Sequence, residues 1–287
     1  MSARVVLAGQ RRGRSVKTTL APQRLWRLTK VNEPILALRG VNKSFGPVHV
    51  LHDVDLSVRA GEVTALVGDN GAGKSTLVKC IAGIHAIDNG EILFGGKPVQ
   101  IHNPRDAAAL GIEVVYQDLA LADNLDIVQN MFLGRERRRR GLLDEASMEL
   151  DARRTLASLS VRTVKSVRTP VSALSGGQRQ TVAIAKAVLW NSKVVLLDEP
   201  TAALGVAQTR QVLDLVRRLA EQGLGVVLIS HNMNDVFEVA DRIATLYLGR
   251  LAADVATKDV TNSQIVELIT TGRSGELGLA RPDVATV

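Results

Sequence analysis

One segment constrains the fold of this chain more than any other: a glycine-rich loop that separates an apolar run from an amphipathic run. Residues 62–67 (EVTALV) are typical of a short buried strand, and residues 76–84 (TLVKCIAGI) have helical spacing. Between them, residues 68–75 (GDNGAGKS) match the phosphate-loop pattern G-x-x-x-x-G-K-[ST]. An ordinary glycine turn is the alternative interpretation. The strand before the loop and the helix after it favour a phosphate-binding loop.

The residue types of this loop suit the binding of a nucleotide's phosphates. Glycines let the backbone curl so that successive N–H groups point at phosphate oxygens, and the helix that follows adds its positive N-terminal end. Lys74 is expected to reach the β- and γ-phosphates, and the Ser75 hydroxyl is expected to hold Mg²⁺. The candidate nucleotide-binding residues are Gly68, Asp69, Asn70, Gly71, Ala72, Gly73, Lys74, Ser75 and Thr76.

The composition excludes several classes of protein. Of the 287 residues, 46% are hydrophobic and 23% are charged, an ordinary balance for one or two globular domains. Aromatic residues make up only 3%, which argues against a stacking surface for single-stranded nucleic acid. The single cysteine, Cys80, excludes an internal disulfide and a multi-cysteine zinc site. The sequence contains no apolar run long enough to predict a membrane-spanning helix.

The positive charge of the chain is confined to its first residues. Residues 1–32 contain eight basic residues and no acidic one, so the net charge of +7 leaves −1 for the rest. The folded part is therefore not expected to carry a basic stripe for nucleic acid. We expect residues 1–33 to form a disordered basic extension. An organellar transit peptide and a native start at Val31 are the alternatives.

Apolar runs and helical patterns alternate along most of the chain. Residues 35–41 and 49–58 alternate apolar and polar residues, as half-buried strands do. Residues 193–198 and 225–230 are mostly apolar runs separated by a helical pattern, which predicts parallel strands covered on both faces. Residues 118–174 instead show helical spacing without strand-like runs. We therefore predict an α/β fold with a mostly parallel core sheet.

A basic run, RERRRRG, interrupts the helical segment at residues 135–141. Two interpretations are open: contact with an anionic lipid or a nucleic acid, or a solvated helix end or loop. The run is short and contains no aromatic residue, so we favour the solvated loop.

Polar side chains follow two of the predicted core strands. Asp198 and Glu199 come at the end of one apolar run, and His231 ends the next. The carboxyl ends of parallel strands form the ligand-binding edge of such sheets. We expect Asp198 to hold Mg²⁺, Glu199 to polarise the attacking water, and His231 to contact the γ-phosphate or that water. With Lys74, Glu199 and His231 are the candidate catalytic residues. A solvated strand end is the alternative for the acidic pair taken alone.

The run LSGGQ at residues 174–178 completes the set of motifs. Ser175 before two glycines is typical of a helix N-cap with an anion-binding nest, which would be a second phosphate site in one chain. Two chains arranged head to tail would place each LSGGQ against the phosphate loop of the other chain. With the motifs above, in this order, the sequence resembles the ATP-binding cassette (ABC) ATPases over about residues 35–270.

The resemblance implies roles for further residues. Phe45 stands where the family carries the aromatic residue that stacks on adenine. Gln117 stands where it carries a glutamine that touches Mg²⁺ and senses the membrane partner. Glu199 corresponds to the general base and His231 to the switch histidine. The implied nucleotide-contacting residues of the signature are Ser175, Gly176, Gly177 and Gln178.

One position departs from the pattern of the family. Gly205 stands where most cassettes carry an aspartate in the D-loop, which leaves open whether the two sites are tightly coupled. This variant, and the segment VVYQDLALADNLDIVQNMFLGRE around Gln117, are similar to bacterial sugar importers of the ribose, xylose and fructose type. The chain holds a single cassette, so two copies would be needed.

The resemblance also implies the fold and the domain organisation. It implies a P-loop NTPase of the ABC type, in which a mostly parallel core sheet is joined by an N-terminal antiparallel β subdomain and an inserted α-helical subdomain. The ATPase domain is expected at 34–272, with the helical subdomain at about 118–178. A loose tail is expected at 273–287.

The implied function is ATP hydrolysis that energises the uptake of a monosaccharide, with ATP and Mg²⁺ as cofactors. The implied partners are transmembrane permease subunits, through them a periplasmic or lipid-anchored solute-binding protein, and a second copy of the chain, with no specific nucleic acid. The implied location is peripheral, at the cytoplasmic face of the plasma membrane. The alternatives are transport of another solute, such as an amino acid or an exported compound, and a soluble ABC ATPase that acts in DNA repair or on the ribosome.

Overall fold

The computed structural model describes residues 33–161, 164–275 and 277. Apart from Glu33, the predicted basic extension lies outside these residues, and so does most of the predicted C-terminal tail. In the described part of the chain, no helix is both long enough and apolar enough to cross a membrane.

The described residues contain twelve strands and eight α-helices. The strands are β1 (Leu36–Phe45), β2 (Val48–Val58), β3 (Val63–Gly68), β4 (Asn89–Phe94), β5 (Lys97–Val99), β6 (Ile112–Val115), β7 (Arg138–Arg139), β8 (Leu142–Leu143), β9 (Val194–Asp198), β10 (Gly225–Ile229), β11 (Arg242–Tyr247) and β12 (Arg250–Ala256). The helices are α1 (Lys74–Ile81), α2 (Pro104–Leu110), α3 (Ile127–Phe132), α4 (Glu145–Ser158), α5 (Gly176–Val188), α6 (Val206–Glu221), α7 (Met233–Val239) and α8 (Asn262–Thr271).

A six-stranded sheet forms the centre of the fold, in the order β12-β11-β3-β10-β9-β6. All neighbouring strands are parallel except β12, which pairs antiparallel with β11 at one edge. Strands β3, β9 and β10 are buried along nearly their whole length, which explains their continuous apolar sequences. The predicted mostly parallel core sheet is confirmed. Because these strands run in one direction, the residues that follow them meet at one edge of the sheet.

Two apolar cores cover the two faces of the central sheet. One core contains Leu66, Leu196 and Val227 together with residues of α1 and of a second, antiparallel sheet in the order β2-β1-β4-β5. The other core contains Val67 and Leu197 together with residues of α3, α4, α5 and α6. The antiparallel N-terminal strands and the helices inserted between β6 and β9 agree with the predicted fold.

The segment 118–174 contains a small hairpin, and the prediction that it holds no strand is wrong at this point. Strands β7 and β8 pair antiparallel through a two-residue turn, Arg140 and Gly141, whose φ angles are 54° and 85°. Two successive residues with positive φ form a turn that matches the twist of a tight hairpin. The glycine that ends the basic run makes this turn possible.

The basic run itself is divided between paired and solvated arginines. Arg135 Nη1 lies 2.8 Å from Glu113 Oε1, and Arg137 Nη1 lies 2.6 Å from Asp151 Oδ2. Both guanidinium groups also lie over aromatic rings. Residues 138–140 are exposed and form no ion pair with any residue that the structure describes. Two arginines therefore anchor the hairpin, and the others are solvated.

Candidate active site

The phosphate loop lies in the turn between β3 and α1. The helix begins directly after Gly73, whose φ of 102° is a left-handed value that favours glycine. A methyl group on Gly73 would also lie 2.9 Å from Cδ2 of Leu51. The first N–H groups of a helix have no partner within it and are available to an anion. The loop therefore has the geometry of an anion-binding turn, and the position directly before the helix favours glycine.

Lys74 folds back onto the phosphate loop. Its Nζ donates hydrogen bonds to the backbone oxygens of Gly68 at 2.7 Å and Asp69 at 2.9 Å. Burial lowers the pKa of Lys74, while the negative charges of Glu199, Asp69 and Asp198 act in the opposite direction. The carboxylates thus favour the charged ammonium, and the phosphates of a nucleotide would favour it further.

A cavity of about 320 Å³ opens beside the loop and brings together three sets of predicted residues. These are the loop with the start of α1, the glutamine that follows β6, and the two carboxylates at the end of β9. The lining consists of Val50, Asn70, Gly71, Gly73, Lys74, Ser75, Thr76, Gln117, Asp198, Glu199 and Ile229. Positions far apart in the sequence therefore converge at the carboxyl edge of the sheet.

Asp198 and Glu199 form an adjacent pair of carboxylates on this cavity. Burial and the neighbouring charge of Glu199 raise the pKa of Asp198, whereas Lys74 lowers it. Two adjacent carboxylates in a half-buried place favour a cation nearby. Asp198 shares the cavity with the Ser75 hydroxyl and the Gln117 amide. This set of oxygen ligands is of the kind that binds Mg²⁺.

Glu199 and His231 face each other from neighbouring strand ends. Nδ1 of His231 lies 3.0 Å from Oε1 of Glu199. Glu199 has a φ of 48°, which few residues other than glycine adopt, and its N–H donates to the oxygen of Ile229 at 2.9 Å. This bond ties the end of β9 to the end of β10. The His231 side chain is 71% exposed and that of Glu199 is 25% exposed, so water and a nucleotide can reach the pair.

A second cavity, of about 500 Å³, shares Asn70 and Glu199 with the first. It adds Asp69 and His231, and its wall includes apolar side chains from α7 and α8. These apolar residues are Met233, Val266 and Ile269. The sequence analysis did not predict them as part of the site, because they belong to no motif and only the fold brings them to it.

The signature LSGGQ forms the N-terminus of α5. Ser175 Oγ accepts a hydrogen bond from the N–H of Gln178 at 3.4 Å, and Gln178 Oε1 accepts one from the N–H of Ser175 at 2.9 Å. A methyl group on Gly177 would lie 3.0 Å from Cβ of Gln208, so the helix start packs closely against α6. Within the described residues, the signature lines neither of the two cavities.

Phe45 ends β1 and also lies outside the linings of both cavities. Its side chain is 42% exposed, and its ring meets the ring of His85 edge-on, with 5.0 Å between the centroids. The ammonium of Lys43 lies 5.4 Å from the centre of the same ring. The ring is partly exposed, and its contact with adenine stays a prediction.

Known proteins resemble this chain over most of its length. Residues 51–202 match a family model described as ABC transporter. The chain is 49% identical to the fructose import ATP-binding protein FrcA of Rhizobium meliloti, over 83% of this chain and 94% of that protein. It is 45% identical to the xylose/arabinose import ATP-binding protein XylG of Sulfolobus acidocaldarius, over 85% and 97% of the two chains. A dimeric structure of the ATP-binding cassette MJ0796, in a post-hydrolysis state with ADP and Pi, matches with a TM-score of 0.65 and 25% identity, over 77% of this chain and 98% of that one.

These similarities agree with the geometry of the site. The family match includes the phosphate loop, the signature and both carboxylates of the cavity, Asp198 and Glu199. The resemblance to the ABC ATPases that the motifs indicated is confirmed, and the similarity extends well beyond the motifs to most of the chain. The chain belongs to the ABC transporter family and is one of its ATP-binding, ATP-hydrolysing proteins.

Proposed function

We propose that this chain energises the uptake of a monosaccharide through separate transmembrane subunits of a bacterial ABC importer. The observation that carries the hydrolytic part is the pairing of Glu199 with His231 at the phosphate-loop cavity. The assignment of a monosaccharide as the solute is supported by two relatives, which are named as fructose and xylose/arabinose import ATP-binding proteins. Gly205 and the segment around Gln117 resemble the same group of importers.

In the proposed mechanism, the residues that line the cavity have different roles in ATP hydrolysis. The N–H groups of the phosphate loop and the Lys74 ammonium bind the β- and γ-phosphates. Glu199 takes a proton from a water molecule, whose oxygen attacks the γ-phosphorus while the bond to the β–γ bridging oxygen breaks. ADP and phosphate leave, and the proton on Glu199 returns to solvent. His231, 3.0 Å from Glu199, orients the carboxylate and contacts the γ-phosphate.

Ser75, Gln117 and Asp198 are the residues that we propose to hold Mg²⁺. All three line the phosphate-loop cavity. Burial and the charge of Glu199 raise the pKa of Asp198, and a divalent cation beside it would favour the ionised carboxylate. When bound, Mg²⁺ would supply positive charge that offsets the charge of the phosphates.

We further propose that two copies join head to tail, so that each signature faces the phosphate loop of the other copy. The signature lines neither cavity, and the N–H groups of Gly176 and Gly177 have no hydrogen-bond partner in the part of the chain that the structure describes. Val206, at the start of α6, is 83% exposed and close in sequence to Gln208, which packs on the signature helix. An apolar side chain this exposed suits burial in the same interface. The related cassette MJ0796 is known as a dimer.

A groove in the helical segment supports a permease contact. A cavity of about 190 Å³ has a mostly apolar lining that includes Leu125, Val128, Phe132, Leu133 and Leu143. The residues that line it come after Gln117 in the sequence. A permease segment bound in this cavity would therefore be linked to the Mg²⁺ site through the loop that joins Gln117 to α3. The permease would receive the sugar from a periplasmic or lipid-anchored binding protein. This chain would then be a peripheral subunit at the cytoplasmic face of the plasma membrane.

Uptake of radiolabelled solutes by cells with and without the encoding gene tests this proposal. We expect loss of the gene to abolish the uptake of fructose, xylose, arabinose or ribose. Expression of the wild type should restore uptake, and Glu199→Gln should not. Glutamine uptake is the control for amino-acid import. Loss of glutamine uptake instead, or unchanged uptake of every sugar, would contradict sugar import.

A further inference from the structure

Asp235 is a buried carboxylate that the proposed steps of hydrolysis do not use. It is 6% exposed, lies in the first turn of α7 and comes four residues after His231. Its Oδ2 accepts a hydrogen bond from the Thr201 hydroxyl at 2.7 Å, and its Oδ1 accepts one from the side-chain amide of Asn232 at 3.0 Å. A buried carboxylate depends on such donors, so the three side chains are held as one network.

The two donors belong to the loops that carry the proposed catalytic pair. Thr201 comes two residues after Glu199, in a tight turn in which the N–H of Ala202 donates to the oxygen of Glu199 at 3.1 Å. Asn232 comes directly after His231. Asp235 therefore joins the loop after β9 to the loop after β10, within a few residues of both side chains.

We propose that Asp235 is a positioning residue that sets the distance between Glu199 and His231. The inference rests on the ATPase site proposed above. The His231 side chain is 71% exposed, so packing does not hold it at 3.0 Å from Glu199. The backbones of the two loops set that distance, and the network of Thr201, Asp235 and Asn232 joins the loops. The bond from Glu199 to Ile229 still ties the strand ends, but without the network the loops beyond them are less restrained, and fewer molecules have both groups in place for the reaction.

This role predicts a change in kcat without a matching change in KM. The hydrogen bonds of Lys74 do not involve Asp235, so the binding of the phosphates should persist. Asp235→Ala removes both acceptor oxygens, so neither the Thr201 hydroxyl nor the Asn232 amide keeps its partner. Because small misplacements of reacting groups are costly, we expect kcat for ATP to fall about tenfold or more. KM should stay within about twofold of the wild type.

Thr201 offers a second test that leaves the carboxylate in place. Thr201→Val removes the donor, and we expect kcat to fall about threefold or more. Thr201→Ser restores a hydroxyl and should return kcat to near the wild-type value. Thr245→Val is the matched control, because the Thr245 hydroxyl is buried and has no hydrogen-bond partner among the described residues. It should leave kcat and KM unchanged.

Steady-state ATP hydrolysis by the purified full chain measures these effects, with the melting temperature of each variant recorded beside it. Wild-type kcat in both Asp235→Ala and Thr201→Val would overturn the inference, even if both variants melt earlier. A fall in Thr201→Val that Thr201→Ser does not reverse would overturn it as well. If the wild type itself neither binds nor hydrolyses ATP, the proposed function fails instead, so the two failures are distinguishable.

Discussion

Replacing Glu199 with glutamine should separate hydrolysis from nucleotide binding. Glutamine has nearly the shape of glutamate and can keep a hydrogen bond to His231, whose Nδ1 lies 3.0 Å from the Glu199 carboxylate. The amide cannot take a proton from water. A positioned general base contributes about 10²–10⁴-fold to a rate. We therefore expect kcat to fall at least about a hundredfold, which corresponds to about 2.7 kcal/mol of activation free energy.

The same substitution should leave ATP binding intact or strengthen it. Glu199 adds a negative charge to a cavity that already contains Asp198, and this charge helps to raise the pKa of Asp198. Two unit charges about 4 Å apart interact by about 4 kcal/mol at an effective dielectric constant of about 20. Relief of even a third of such repulsion with the γ-phosphate would lower Kd about tenfold.

Phosphate release and equilibrium ATP binding by the purified full chain measure the two effects separately. Glu91→Gln is the matched control, because Glu91 is an exposed carboxylate on β4, and it should change neither quantity. Hydrolysis at the wild-type rate by Glu199→Gln would show that another group activates the water. A loss of ATP affinity as large as the loss of kcat would show that Glu199 binds the nucleotide rather than acting on water.

Three further substitutions test other parts of the site. Burial raises the pKa of Asp198, so its ionised form destabilises the nucleotide-free fold. Asp198→Asn should therefore raise Tm at neutral pH. Calorimetry should find no rise in Tm below about pH 4, where the aspartate is protonated in both the folded and the unfolded protein. Ser175→Ala removes the N-cap of α5 and should lower the free energy of unfolding by about 1 kcal/mol and Tm by about 2–4 °C. It should also weaken ATP-dependent dimerisation in size-exclusion chromatography. An unchanged Tm would contradict the capping role of Ser175, and unchanged dimerisation would contradict its role in the interface. Phe45→Ala should raise KM about tenfold for ATP and GTP alike, since every base stacks, and Phe45→Trp should restore it; equal KM values in all three proteins would exclude the stacking role.

The parts of the fold that were predictable are those fixed by local sequence. Strands β3, β9 and β10 are buried on both faces, so each is a continuous apolar run that no turn residue interrupts. The phosphate loop is local as well, because Gly73 must adopt a φ of 102° where the helix begins. Helix α8 was not predicted, although its sequence signal is local. Thr261 and Gln264 form a capping box, and both residue types stand at the expected spacing in the sequence.

Other parts depend on contacts between distant residues. The capping acid of a helix and a network residue look alike in sequence, so nothing near Asp235 indicates a bond to Thr201, which lies 34 positions away. Val266 and Ile269 lie on an ordinary amphipathic helix, and only the packing of α8 brings them to the cavity with His231. The sequence could indicate which side chains carry the chemistry, but not what holds them in place.

If the signature of one copy faces the phosphate loop of the other, cysteines at these two places should cross-link between copies. An arrangement in which the same segment of each copy faces its counterpart would not give this result. Cys80 is buried, and burial raises its pKa to about 11, so the native thiol is unreactive and introduced cysteines can be followed alone. We would mix chains carrying Asn70→Cys with chains carrying Ser175→Cys, both also with Glu199→Gln, and oxidise them mildly with ATP and Mg²⁺. A disulfide-linked dimer should form in the mixture, depend on ATP, and be absent from either variant alone. A mixture that dimerises with ATP in size-exclusion chromatography but forms no disulfide, or equal cross-linking of each variant with itself, would contradict a nucleotide site shared between two copies.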